Sequence, residues 1–158
     1  RLERGVEVAA ASDTSLPRLL GLKQELARLG LPSPAIIAAS GARPPVAPSF
    51  QPGGILLDAP CSGLGTLDRR PDLRKKRAPS HIPPLVRLQS ELIDAAWARL
   101  RQGGQLLYIT CTRNPEENER QIERLLRLHP EASLLASWEN APGIHGADLM
   151  YGAALKKK

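Results

Sequence analysis

The sequence is short of the residues that build covalent or metal-held scaffolds. Its 158 residues include two cysteines and three histidines. Two cysteines 50 positions apart make neither a disulfide framework nor a zinc cluster, and His81, His129 and His145 are scattered singly. No apolar run approaches the roughly 18 residues of a membrane span. The basic start RLERGVEV has no signal-peptide core behind it. Internal repeats are missing too. These absences exclude a disulfide scaffold, a helical membrane protein and a metal centre, and point to a cytoplasmic chain. With 42% hydrophobic residues it can bury a core, so it is not a disordered tail. Its length suits about one domain spanning residues 1–158, expected as a monomer.

What is present is basic and unevenly placed. The net charge is +6, and the stretch RRPDLRKKR from Arg69 to Arg77 alone holds six cations against one anion. Lys156, Lys157 and Lys158 form a second basic patch at the C-terminus. The remainder is close to neutral. Such a distribution suits an anionic partner, nucleic acid above all, although a lone basic loop is as often only a solvated one.

Strand-like and helix-like stretches alternate. Val6–Ser12 is an apolar run ending at Asp13, and Ser15–Leu29 carries leucines at near-helical spacing before Gly30. Pro17 is tolerated only in a first turn, which fixes that helix start at Ser15 or Leu16. Ala35–Ala39 and Gly54–Asp58 read as the next strands, with a proline-rich loop between them. Cys61–Ile82 has no sustained periodicity, and a loop of that length inside a compact domain is usually functional or mobile. Pro83–Leu100 is a helix ended by Gly103-Gly104, and Gln105–Thr110 is the fourth strand. Asn114-Pro115-Glu116-Glu117 reads as a helix start, with Asn as cap, Pro first and two glutamates at the positive end of the dipole. Ala132–Ser137 and Leu149–Leu155 are weaker strand candidates. The alternation predicts an α/β fold with a mostly parallel, doubly wound sheet.

In such sheets ligands bind beyond the carboxyl ends of the strands. The first strand delivers Asp13 there, the third Asp58, Pro60 and Cys61, and the fourth Thr110 and Cys111. Both cysteines thus reach one edge. Small buried hydrophobes are where most free cysteines live, but PCSGLG around Cys61 is too polar and glycine-rich for core. Cys111 directly precedes a helix start, whose dipole favours thiolate. A thiolate facing an aspartate suits nucleophilic attack on an electron-poor carbon. A cysteine hydrolase would need a base, and no histidine lies near a strand end.

The segment Asp58-Ala59-Pro60-Cys61-Ser62-Gly63-Leu64-Gly65-Thr66 resembles the DAPCSGxGT signature of the Sun-type RNA cytosine-C5 methyltransferases. Arg70-Pro71-Asp72-Leu73 continues the match. Leu88–Ala96 is similar to that family's LQxxLLDAA helix, Gly103–Thr112 to its GGxLVYxTCS strand, and Pro115–Glu119 to its PEENE. Upstream, Asp13–Leu19 and Leu26–Gly30 resemble its DxSxxRL and LxRLG stretches. The resemblance covers nearly the whole chain.

The resemblance implies a Rossmann-like fold with helices on both faces of the sheet, and methyl transfer from S-adenosylmethionine to C5 of a cytosine in ribosomal or transfer RNA. Cys111 would attack C6 of the base, Cys61 would serve the release step, and Asp58 would bond the base near N3. Asp13 would hold the cofactor ribose, with Asp58 and Pro60 beside the cofactor; Pro60 would also keep Asp58 and Cys61 at a fixed separation. Arg69, Arg70, Arg74, Lys75, Lys76 and Arg77 would track RNA phosphates while the base is flipped out.

Three features depart from the family pattern. Ala39–Arg43 has no acid where the family contacts adenine, and Asp148-Leu149-Met150-Tyr151 has Leu where the family's DGFF has Gly. Nothing matches its glycine-rich APGGK turn, and Arg1–Gly5 resembles the end of the helix that follows that turn. The sequence therefore predicts a domain lacking its first, central strand, so that the strands ending at Asp13 and Asp58 either pair directly or leave a gap. An alternative function follows: a truncated relative that binds RNA but cannot bind cofactor alone.

Overall fold

In the computed structural model, residues 7–66, 78–140 and 148–158 are described. They belong to two compact units, Arg1–Ala47 and Pro48–Lys158.

The first unit is one β-α-β turn of chain. Strand β1 (Ala10–Asp13) pairs in parallel with β2 (Ala35–Ala38), joined through helix α1 (Leu16–Arg28). β1 is shorter than the apolar run from Val6 suggests, because its register with β2 spans only Ala10↔Ala35 to Asp13↔Ala38. α1 starts after Ser15 as Pro17 requires. Its leucine stripe is not a covered face: Leu19 is buried, while Leu16, Leu20, Leu22 and Leu29 are exposed.

The second unit holds the core. Its sheet runs β3-β4-β6-β5, with β3 (Gly54–Asp58) parallel to β4 (Gln105–Thr110), and β6 (Tyr151–Lys157) antiparallel to both β4 and β5 (Ala132–Glu139). The chain's parallel pairs, β1–β2 and β3–β4, each close over a helical crossover, as the alternation in sequence predicts. The two weak strand candidates are real and longer or shifted, and the antiparallel β6 between them is what sequence alternation could not show. β1 and β3 stand in different sheets rather than as neighbours.

Helices α2 (Ile82–Arg99) and α3 (Glu119–Leu128) pack together, through Ser90 with Gln121 and Asp94 with Arg124. They cover the face of β4 that carries Leu106, Tyr108 and Thr110, the alternate residues that a pleated strand points one way. Ile93, Trp97, Leu100, Ile122, Leu125, Tyr151, Ala153 and Leu155 complete this core. On β3, Ile55 and Leu57 pack against it, whereas Leu56 points to the other face and is 64% exposed. The lysine tail is partly structural. Lys157 lies in β6, and its Nζ donates to the carbonyls of Trp97 and Leu100, stitching the end of α2 to the sheet.

The expected helix start at Asn114 is displaced. Residues 115–118 form a hydrogen-bonded turn and α3 begins at Glu119. Asn118 has φ −116° and ψ −101°, outside the helical region, because its side chain and that of Glu117 turn into the protein instead of continuing the helix.

Candidate active site

The parallel register of β3 and β4 decides what meets at their ends. Asp58 stands opposite Ile109, and the ladder runs one bond further, from Ala59 N–H to the Ile109 carbonyl at 2.9 Å. The chains then leave the sheet side by side. Cys61 and Cys111 come to a Sγ–Sγ distance of 3.2 Å, a thiol–thiol hydrogen bond, and the Cys111 N–H also donates to Cys61 Sγ at 3.3 Å. Both are half-buried, free cysteines. Asp58 is exposed at the same edge.

Behind the sulfurs lies a buried polar cluster that ties the two loops together. Ser62, Gln89, Thr112, Glu117 and Asn118 are all fully buried. Glu117 is its hub. Oε1 accepts from the Ser62 N–H at 2.8 Å and from Gln89 Nε2 at 3.0 Å, and Oε2 from Asn114 Nδ2 at 3.2 Å and, more weakly, Thr112 Oγ1 at 3.5 Å. Ser62 and Thr112 join their hydroxyls at 2.8 Å. Gln89 Nε2 also donates to the Pro60 carbonyl at 2.9 Å, so Pro60 is held from α2 as well as by its own ring. On the other loop, Thr110 Oγ1 donates to Asn118 Oδ1 at 2.6 Å, and Asn118 Nδ2 donates to the Thr112 carbonyl at 2.8 Å. Tyr108 closes the floor by donating its hydroxyl to the Glu117 carbonyl at 2.7 Å. A buried carboxylate survives only when such donors replace its lost water.

Gly65 shows how tightly the Cys61 loop is seated. Its N–H donates to the Cys111 carbonyl, and its carbonyl accepts from Leu149 N–H, both at 3.0 Å. A Cβ there would stand 2.9 Å from the Cys111 carbonyl and closer still to that of Leu149, so only glycine fits. Ser62 and Gly63 are buried, which corrects the expectation that this turn is too polar for the interior: its polar atoms go inside because each finds a partner.

The two thiols are not equivalent. The Cys111 thiol donor, and the N–H groups of Cys111 and Gly63, bring the Cys61 thiol down to about 7, against burial and the charge of Glu117. The bond to Cys61, burial, and the charges of Cys61 and Asp58 push Cys111 far up. The negative charge therefore rests on Cys61. This reverses the expectation that a helix dipole makes Cys111 the thiolate: the turn at 115–118 sets the start of α3 back to Glu119, and the N–H groups of Cys111 and Gly63 serve Cys61 instead. Burial, with the charges of Cys61 and Glu117, also keeps the Tyr108 phenol neutral.

In the first unit, Asp13 ends β1. Its Oδ1 accepts the Ser15 N–H at 2.7 Å and its Oδ2 lies 3.7 Å from Arg18. The Ser15 side chain makes no cap bond, and the bond from its N–H to Asp13 is the side-chain contact at this helix start. Ser40, where an adenine-contacting acid is missing, accepts the Ala42 N–H with its hydroxyl. Arg69, Arg70, Arg74, Lys75, Lys76 and Arg77 lie outside the described residues, as does His145. His81 and His129 stand away from the sulfurs, bonded to Ala78 and Glu131 respectively. Among the described residues no group of His, Cys, Asp or Glu could hold a metal.

Sequence reasoning assigned no site role to Gln89 or Glu117. One signal was available: Gln89 sits among Leu85, Leu88, Leu92 and Ile93 on the apolar face of α2, where a glutamine needs a buried partner. Glu117 gave none, since a glutamate beside a helix start is adequately explained by the dipole.

A family model described as 16S rRNA methyltransferase RsmB/F matches residues 2–154. Ribosomal RNA small subunit methyltransferase B of Yersinia pseudotuberculosis serotype O:1b (strain IP 31758) is 41% identical over 134 residues, covering 84% of this chain and 31% of the relative. The chain thus spans about a third of the length of the curated relatives it matches. Among solved structures, PH0851 is similar with a TM-score of 0.87 and 29% identity over 94% of this chain and 36% of that one. NSun6 from Pyrococcus horikoshii with SFG gives a TM-score of 0.81 and 30% identity over 94% of this chain and 41% of that one. The fold is that of the Rossmann-like methyltransferases, as the sequence led us to expect.

Proposed function

The chain belongs to the 16S rRNA methyltransferase RsmB/F family, and from that premise we propose that it carries the base-modifying part of an S-adenosylmethionine-dependent RNA methyltransferase that acts on C5 of a cytosine. The observation that supports this most is the 3.2 Å contact between two free thiols delivered by separate strand ends. Two cysteines serve a reaction with two demands, an attacking sulfur and a base, better than either alone.

With the charge on Cys61, attack begins by proton transfer along the thiol–thiol hydrogen bond. Cys61 takes the proton and Cys111 becomes the thiolate. The Cys111 sulfur then bonds to C6 of the base while the C5–C6 double bond opens and N3 takes a proton from the Asp58 carboxyl, which takes it back when Cys111 leaves. This leaves C5 electron-rich. S-adenosylmethionine supplies, when bound, an electrophilic methyl group for that carbon. Cys61, half-exposed, returns its proton to solvent and then accepts the proton of C5. The C5–C6 double bond re-forms as the C6–sulfur bond breaks and Cys111 leaves as thiolate. Asp13 fits a ligand hydroxyl, since its carboxylate spends one hydrogen bond on Ser15 and has lone pairs to spare. We assign it to the cofactor ribose, and the cations of residues 69–77 to RNA phosphates.

A trapping experiment tests the roles. Cys61→Ala, incubated with substrate RNA and cofactor, is expected to form a denaturation-resistant protein–RNA adduct more slowly, because Cys111 must then lose its proton to solvent, and to accumulate it, because release lacks its base. Adding Cys111→Ser should abolish the adduct. An adduct that persists in the double variant removes Cys111 as nucleophile. Calorimetric titration with S-adenosylmethionine tests the cofactor separately: micromolar binding that Asp13→Ala weakens supports the assignment, and RNA binding without any cofactor binding would leave only an RNA-binding module.

A further inference from the structure

We propose that Glu117 is a positioning residue: its buried carboxylate clamps the Cys61 loop to the Cys111 loop and so holds the two sulfurs in hydrogen-bonding contact. The inference rests on the reading of Cys61 and Cys111 as the reactive pair, and it gives a task to a glutamate that no catalytic step above uses.

The geometry separates a clamp from an ordinary buried ion. Among the described residues Glu117 makes no ion pair with a cation; its carboxylate is met by neutral donors from three separate segments. Ser62 is the residue after Cys61, and its backbone N–H is bound at 2.8 Å. Thr112 is the residue after Cys111, and its hydroxyl reaches the other oxygen. Gln89 comes from α2 and shares its amide between Glu117 and the Pro60 carbonyl, one residue before Cys61. The amide orientation follows from these partners, since turning it would set an oxygen against the carboxylate. Each carboxylate oxygen thus serves a different cysteine loop. Backbone to either side of Cys61 is fixed, at Pro60 and Ser62. The effect on the sulfurs is through position.

A clamp and a charge have opposite consequences at Cys61. The groups facing the pair are Glu117 and Tyr108 beside Cys61, and Asp58 beside Cys111. As a charge, Glu117 opposes the Cys61 thiolate. As a clamp it preserves the Cys111 contacts that favour the thiolate most. Removing the carboxylate therefore lowers the Cys61 thiol further if charge dominates, and raises it towards the ordinary thiol value if the clamp dominates.

The test is the pH profile of iodoacetamide alkylation at each cysteine of the whole chain, resolved by peptide mass spectrometry, on the wild type and on Glu117→Gln, Glu117→Asp and Asn114→Ala. Wild-type Cys61 should show a midpoint of about 7. Glu117→Gln should move it upward and slow alkylation at pH 7 several-fold, with Cys111 losing its strong protection at high pH. Glu117→Asp keeps the charge but shortens the reach, and should follow Glu117→Gln. Asn114→Ala removes the outermost donor, together with the acceptor of the exposed Glu116 N–H, and should give a smaller shift of the same sign; it decides the matter if the Glu117 variants fail to fold. A downward or absent shift in the folded variants overturns the clamp. Methyl transfer to RNA is measured in parallel: a wild type with the depressed Cys61 midpoint but no 5-methylcytosine product refutes the proposed function and leaves the clamp standing.

Discussion

The two units of this chain solve different problems with similar parts. Both contain a parallel strand pair joined across a helix, yet in Pro48–Lys158 the helices bury Ile93, Trp97, Leu100 and Leu125 almost completely, whereas in Arg1–Ala47 one leucine of α1 is buried and three are exposed. The polar residues differ in the same way. Those behind the cysteines are inside and cross-linked, and Asp13 in the first unit is part-buried, with one local bond and a distant arginine. Chemistry that needs two sulfurs held within hydrogen-bonding distance sits where burial over-determines the backbone. In the role proposed for it, Asp13 has only to receive a ligand hydroxyl, which suits the looser setting.

The largest effect that would break this contrast is expected in the core of the second unit. Trp97 is 1% exposed, donates Nε1 to Glu131 at 3.0 Å and lies under the Lys157 ammonium at 5.7 Å. Trp97→Ala should cost about 3–5 kcal/mol in chemical denaturation of this unit, from lost burial and the cavity left behind. A loss below about 1 kcal/mol would mean the second unit is no better packed than the first.

A smaller effect comes from the thiols and shows in the pH dependence of stability. Unfolded cysteines titrate at their ordinary value of 9.0, while in the folded chain Cys61 titrates at about 7 and Cys111 far above 9. Between pH 7 and 9 the unfolded chain binds the extra proton, so stability rises with pH. Above 9 the folded chain retains the Cys111 proton that the unfolded chain has lost, so stability falls again. Denaturant melts should show a maximum near pH 9 of about 1–2 kcal/mol relative to pH 6, after allowing for partial exposure of the pair. Because each thiol's shift comes chiefly from the other, Cys61→Ala and Cys111→Ala should each flatten both limbs. A flat profile in the wild type would separate the sulfurs in solution.

The same contrast explains what could be read from the sequence. Strands and their order of delivery were legible because alternation and turn residues are local, and β3 and β4 alone sufficed to bring Cys61 and Cys111 to one edge. Which sulfur carries the charge was not legible. It depends on the Cys111 thiol and on the N–H groups of Cys111 and Gly63, whose loops are tied together where Glu117 and Asn118 turn inward. That inward turn is a tertiary event joining residues 62, 89 and 112 to 117, with no period to betray it. In α1 the error ran the other way. Its leucine spacing correctly predicts a helix with an apolar face, but periodicity reports that a face exists and says nothing of what covers it.

The smallest effect is expected on that face. Leu20 is 50% exposed, in the middle of α1. Leucine and glutamine have similar helix propensities, so Leu20→Gln changes little except the apolar contact. A half-exposed leucine forfeits only part of its burial energy, and the glutamine stem recovers some of it, so local stability should change by less than about 1 kcal/mol. Amide exchange along α1, followed by mass spectrometry, reads this directly without requiring the two units to unfold together. The exchange rates of Leu19–Leu26 should rise less than about fivefold. A much larger rise would mean that Leu20 is covered in solution, and the distinction between a loosely held first unit and a rigid second one would then disappear.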